Sequence, residues 1–223
     1  KSRSRGLGDV YKRQGKNMIG AFHQPKKVIS DVGFLSSLES RQLTDGLSEI
    51  IKHAAILDKE FFVWLEENIN ELLLKNSSLY EYAVSRSIQL KESVVSRDET
   101  EKGVRKWLNF GHTFGHAIEI YGNFEEFSHG EAVALGMLMA INLSMSASGL
   151  NTEDAKRVQE LIKQVLSEKL LAKKFDSKAL YEMMSSDKKK TGDILNFVTI
   201  KDIGEAQIKN DLNLDTILSS IEL

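Results

Sequence analysis

Asn109-Phe-Gly-His-Thr-Phe-Gly-His-Ala-Ile-Glu119, followed by Ser128-His-Gly-Glu131, sets the frame for the remainder of the chain. Three of the five histidines fall here: His112, His116 and His129. Four residues apart on a helix, His112 and His116 project from one face. His129 follows a turn-like break, Tyr121-Gly-Asn-Phe124, and can fold back towards that face. Neutral imidazole is a common metal ligand and an acid or base near neutral pH. The spacing suggests a metal site with a working histidine beside it. A plain pair of helix histidines bonded to backbone or solvent satisfies the same spacing.

On either side of this stretch the apolar period is helical. The spacing predicts helices over about 38–57 (Leu43, Leu47, Ile50, Ile51, Ala54), 59–75, 79–97, 105–121, 129–148 and 153–169. The helix over 129–148 is apolar on most sides, which predicts burial. Residues 180–184 extend the pattern up to the run Asp187-Lys-Lys-Lys190, and 214–221 form a last short helix. Lys27-Val-Ile-Ser-Asp31 reads as a short strand, and Gly33-Phe-Leu-Ser-Ser37 as a turn that caps the next helix through a serine. Residues 194–200 and 205–208, joined through Asp202-Ile-Gly204, read as a β-hairpin. The fold class is therefore mainly α: a multihelical array with a short β-strand near the N-terminus and a small β-hairpin near the C-terminus.

Composition narrows the function classes. With 223 residues and 41% hydrophobic content the chain can bury a sizeable core. A net charge of −2, with scattered Lys and Arg, argues against a nucleic-acid partner. No apolar run is read as a membrane span of ~20 residues. The absence of cysteine excludes thiolate metal sites and disulfides and agrees with a cytoplasmic location. The basic segment 1–14 has neither strand nor amphipathic-helix periodicity; it is set aside as a disordered or non-native terminus expected to make no native-like contact with the core.

A catalytic zinc commonly takes three His or carboxylate ligands and leaves one position open. His112, His129 and one carboxylate are the candidates here. Glu119 lies two turns beyond His112 on the same face, Glu131 follows His129 by two, and Glu49 sits on a largely apolar helix near Lys52, with His53 alongside. Spacing alone does not choose among them, because Glu49 is equally suited to pairing with Lys52. Lys16, Lys52, Lys91, Arg105 and Lys188 are surface cations when taken singly. Converging with Asn17 and Asn109, they would make a pocket for a phosphate or carboxylate.

Several segments together resemble the 3-dehydroquinate synthase family, in order and at close to its spacings. They are Gly15-Lys-Asn-Met-Ile-Gly-Ala-Phe-His-Gln-Pro25, Gly46-Leu-Ser-Glu-Ile-Ile-Lys52, Asp98-Glu-Thr-Glu-Lys-Gly-Val-Arg105, the 109–119 stretch, His129-Gly-Glu-Ala-Val-Ala-Leu-Gly-Met137 and Asp187-Lys-Lys189. The resemblance covers residue 15 to the C-terminus. It implies a divalent metal, zinc first and cobalt second, held by Glu49, His112 and His129, whose side chains should converge on one point. It implies His116 at the phosphate end of the substrate. It places Lys52, Lys91, Glu101, Arg105, Asn109, Asn17 and Lys188 (or Lys189) around a phosphorylated sugar acid, 3-deoxy-D-arabino-heptulosonate 7-phosphate, which becomes 3-dehydroquinate and phosphate in the shikimate pathway. NAD, used catalytically, is expected at Lys16 and at Phe34, Leu35, Ser36 and Ser37. The implied division is a terminus over 1–14, part of an NAD-binding domain over 15–37, and a helical metal- and substrate-binding domain over 38–223.

Upstream of Gly15 the family continues with most of its NAD domain, including a catalytic lysine shortly before Lys16. Here the stretch ending at Gln14 shows no such pattern, and Leu7 stands nine residues before Lys16. The isolated chain is therefore expected to bind metal and to be inactive. The full-length parent is expected to be a homodimer, as its family commonly is. Two other readings share the features: a related sugar-phosphate cyclase, and a non-catalytic helical metal-binding protein.

Overall fold

The apolar periods become nine α-helices among the described residues of a computed structural model, which are 26–191 and 195–222, without the side chains of 186–191. Helix α1 (Ser40–Leu57) buries Leu43, Leu47, Ile50, Ile51 and Ala54, as its period requires. Its N-cap is Glu39, whose backbone N–H donates to Gln42 Oε1 at 3.0 Å, and not a serine. The expected serine cap fails because the hydroxyls of Ser36 and Ser37 donate to Gly33 O and Phe34 O inside their own 3-10 turn, Val32–Ser37. Helix α2 (Lys59–Leu73) is capped by Asp58, which accepts from Phe61 N, and buries Phe61, Phe62, Leu65, Ile69 and Leu72. Helix α3 (Ser77–Val95) packs on α1 and α2.

The helix expected over 105–121 is two pieces. A 3-10 stretch, Val104–Asn109, ends before Gly111, and α4 (His112–Tyr121) starts afresh. Gly111 has φ +77°, where a side chain is strained, and a Cβ there would press on Val133 O and Met137 N at 2.9 Å. The break makes His112 the first residue of α4. Helix α5 (His129–Ser148) runs through the centre and packs against α4, α1, α6 (Thr152–Lys163) and β1 (Phe197–Asp202). It is long and apolar enough to cross a membrane by composition, contrary to the sequence expectation. Its most apolar window is 72% buried, as befits a core helix.

A second cap, Ser167, interrupts the helix expected over 153–169, leaving the short α7 (Glu168–Leu171). Helix α8 (Ser177–Thr191) is longer than its pattern suggested. β1 pairs antiparallel with β2 (Glu205–Lys209), Phe197 opposite Lys209, which is the expected hairpin. Its turn glycine, Gly204, donates its N–H to Ala55 O at 2.8 Å and so ties the hairpin to α1. Helix α9 (Leu214–Ser220) follows.

The described residues from Val32 onward form one compact unit, to which 26–31 do not belong. The strand expected at 27–31 is not formed: these residues have no regular secondary structure, and Val28 and Ile29 are exposed. A β-prone run becomes a strand only against a partner, and the one sheet among the described residues is the β1–β2 hairpin. The expectation for 1–14 lies outside the described residues.

Candidate metal centre

Three elements deliver one ligand atom each. Glu49 comes from the middle of α1, His112 from the start of α4 and His129 from the start of α5. Their ligand atoms all lie within 4.8 Å of one another. Glu49 Oε1 faces His112 Nε2 at 3.6 Å and His129 Nε2 at 3.9 Å. The expected convergence is therefore present.

The hydrogen bonds behind the rings fix what faces the centre. His112 Nδ1 is 3.2 Å from Phe110 O, and His129 Nδ1 is 3.1 Å from Glu119 Oε1. Both partners are acceptors, so each Nδ1 carries a proton and each Nε2 faces Glu49. Glu49 Oε1 is itself buried and has no hydrogen-bond partner among the described residues. A proton on His112 would relieve this opposition, but burial, and then the charge of Lys52, push its pKa down to about 3. Burial would raise the Glu49 carboxyl; the charge and hydrogen bond of Lys52 outweigh it and hold the pKa down to about 2. His112 Nε2 thus meets an ionised Glu49 carboxylate with no proton between them. Two imidazole nitrogens and a carboxylate oxygen, brought together from three elements, fit a divalent cation with an open position.

Of the carboxylates weighed from sequence, Glu119 orients His129 from behind, and Glu131 is bound by Arg41. Lys52 is sealed in the interior with Nζ 2.6 Å from Glu49 Oε2. The His116 ring lies edge-on to His112 at 5.5 Å and 6.3 Å from His129, beside the cluster and outside the triad. Lys91 lies one turn beyond Ser87 on α3; Ser87 hydrogen-bonds His53, and the charge of Lys91 helps to depress His53.

The loop before α4 carries the other expected residues. Asp98 accepts backbone N–H bonds from Lys102, Gly103 and Arg105. Glu101, at φ 59°, accepts from Asn109 Nδ2 at 2.6 Å, and Arg105 donates to Glu99 O. Phe34 is exposed and Leu35 packs on the core. Lys16 and Asn17 lie outside the described residues, as do the side chains of Lys188 and Lys189. Sequence reasoning missed the positioning groups Asp98, Ser87 and Arg41. The signal available was polar residues standing one helical turn, or one short loop, from a candidate.

Comparison with known proteins gives the family. The family described as "3-dehydroquinate synthase C-terminal" matches residues 46–190, and "3-dehydroquinate synthase N-terminal" matches 6–45, a match that begins inside the segment set aside above. A 3-dehydroquinate synthase from a Nitratiruptor species is 42% identical over 213 residues, 96% of this chain and 60% of the relative. One from Blochmanniella floridana is 42% identical over 209 residues, 93% of this chain and 57% of the relative. The chain thus spans about 60% of the length of the curated relatives it matches. Among solved structures, 2-epi-5-epi-valiolone synthase from Streptomyces hygroscopicus, with NAD+ and Zn2+ bound, gives a TM-score of 0.78 at 25% identity, covering 94% of this chain and 58% of that one. A 2-deoxy-scyllo-inosose synthase complexed with carbaglucose-6-phosphate, NAD+ and Co2+ gives 0.79 at 26% identity, covering 93% and 59%. The chain belongs to the 3-dehydroquinate synthase family.

Proposed function

We propose that this chain supplies the metal- and substrate-binding part of a 3-dehydroquinate synthase, which converts 3-deoxy-D-arabino-heptulosonate 7-phosphate to 3-dehydroquinate and phosphate in the shikimate pathway. The observation that carries the reading is the buried Glu49 Oε1 facing the Nε2 atoms of two imidazoles. Glu49, His112 and His129 would hold the cation, zinc or cobalt. When bound, the cation supplies Lewis-acid polarisation of a substrate oxygen, and NAD supplies a reversible hydride acceptor.

The chain's own residues bind, orient and balance charge. Lys52, hydrogen-bonded to Glu49, keeps that carboxylate ionised. Lys91, Arg105, Asn109, Asn17 and Lys188 or Lys189 form the cationic and amide set for the substrate's phosphate and carboxylate, with His116 at the phosphate end. Glu101 holds the Asn109 amide in place. NAD would meet Lys16 and the turn bearing Phe34, Leu35, Ser36 and Ser37. The Ser36 and Ser37 hydroxyls already donate within the turn, so the exposed Phe34 ring offers the apolar contact. The metal and substrate domain would begin near residue 38, the parent protein would be a homodimer, and its location cytoplasmic.

A related sugar-phosphate cyclase is the second reading, favoured by the structural neighbours. Identity of 25–26% to those cyclases against 42% to the synthases places it behind. The test follows phosphate release with zinc, NAD and the heptulosonate phosphate, for this chain alone and joined to the preceding segment of the Nitratiruptor relative. The joined protein is expected to turn over, Glu49→Ala to abolish turnover, and the chain alone to release no phosphate. Turnover of sedoheptulose 7-phosphate in place of the heptulosonate would establish the cyclase instead.

A further inference from the structure

We propose that Asp45 is a positioning residue for the metal centre, the middle member of a clamp that fixes the first turn of α5 on α1 and sets the Glu49–His129 separation. The inference rests on the metal reading above. Arg41, Asp45 and Glu49 are spaced by four on α1 and so share one face. Each meets the start of α5. Arg41 grips the Glu131 carboxylate with Nε at 2.9 Å and Nη2 at 2.5 Å, a two-pronged pair. Asp45 Oδ1 accepts from Ser128 Oγ at 2.5 Å. Glu49 faces His129.

His129 is thereby held on both sides along the chain. Before it, Ser128 bonds Asp45 and closes a capping box with Glu131, whose Oε2 accepts from Ser128 N at 2.9 Å. After it, Gly130 touches α1 so closely that a Cβ would fall 2.7 Å from the Asp45 Cβ and nearer still to its Cα. The His129 side chain is 46% exposed, so burial does little to fix it. Glu119 sets the rotation of the ring, and the clamp sets the position of the backbone that carries it. None of Arg41, Asp45, Ser128 and Gly130 belongs to the ligand cluster, so the clamp acts only through geometry.

The test uses the 223-residue chain with two readouts. Zinc affinity is measured by competition with a chromophoric chelator, and the visible absorption of bound Co2+ reports ligand geometry; melting in chelator reports folding. Asp45→Ala should weaken zinc binding by about tenfold or more, as loss of groups behind metal ligands commonly does, and should alter the cobalt bands. Asp45→Asn keeps an oxygen for Ser128 and should restore both. An Asp45→Ala chain with wild-type affinity and spectrum overturns the proposal. So does a loss that merely follows the melting temperature and is not rescued by Asn. Should Asp45→Ala fail to fold, Arg41→Ala, on the exposed flank of the same clamp, takes its place under the same criteria. A wild-type chain that takes no zinc overturns the metal reading and this inference with it.

Discussion

His112 and His116 differ in what stands behind and before them, although they leave the same helix one turn apart. His112 has a carbonyl behind Nδ1 and Glu49 before Nε2. His116 stands outside the ligand cluster. Calorimetry should therefore find zinc binding abolished in His112→Ala and preserved in His116→Ala. Glu119→Ala, which frees the His129 ring, should weaken binding by about 10–100-fold. Acid should loosen the fold through buried neutral imidazoles. Burial, and then the Lys52 charge, push His53 down to about 3, and His112 is lowered similarly. The unfolded chain then binds more protons than the folded one between roughly pH 6.5 and 3, so stability holds above 6.5 and falls across that window. Glu49 adds a further loss as pH falls from its ordinary range towards about 2. Thermal melts of the metal-free chain should drop between pH 7 and 4, and His53→Gln should flatten that drop; an identical slope would show that His53 does not titrate as argued.

At the scale of elements, the crossing of α4 and α5 is made by glycines. A Cβ on Gly136 would meet Gly115 N at 2.7 Å and collide with Gly111 O, while Gly115 lies against Ala132 and Val133. The two helices that carry the histidines can approach this closely only without side chains at the contact. Gly136→Ala should destabilise the chain by about 1–3 kcal/mol, the usual cost of overpacking, and is read as a lower urea midpoint at unchanged slope. This crossing also explains what periodicity missed. Residues 105–121 read as one helix because apolar spacing continues through Asn109-Phe-Gly, whereas contact with Val133 and Met137 puts Gly111 in the left-handed region. The long, strongly periodic helices and the hairpin were legible because each follows from local pattern. The strand at 27–31 was not, because pairing is a tertiary property.

For the whole molecule, the site was only partly legible, and the reason is distance along the chain. Spacing kept Glu119, Glu131 and Glu49 all open; family resemblance singled out Glu49, 63 residues before His112 by their numbering. Which carboxylate faces the imidazoles depends on where α5 begins, and that is set by contacts with α1. A cation bridging three elements should stabilise all of residues 32–223 together, since they form one unit. At a free zinc concentration 100 times the dissociation constant, the gain is about 2.7 kcal/mol, seen as a raised melting temperature that a chelator reverses. His129→Ala should show no such rise.

The convergence of Glu49, His112 and His129 from three helices bears on more than binding. A cation held there would tie α1, α4 and α5 together, so a loaded chain should open less often than a metal-free one. Proteases sample opened states in proportion to their population. Metal supply in the cell would then govern how long each copy survives, and a zinc-starved cell would thin its stock of this protein without any change in gene expression.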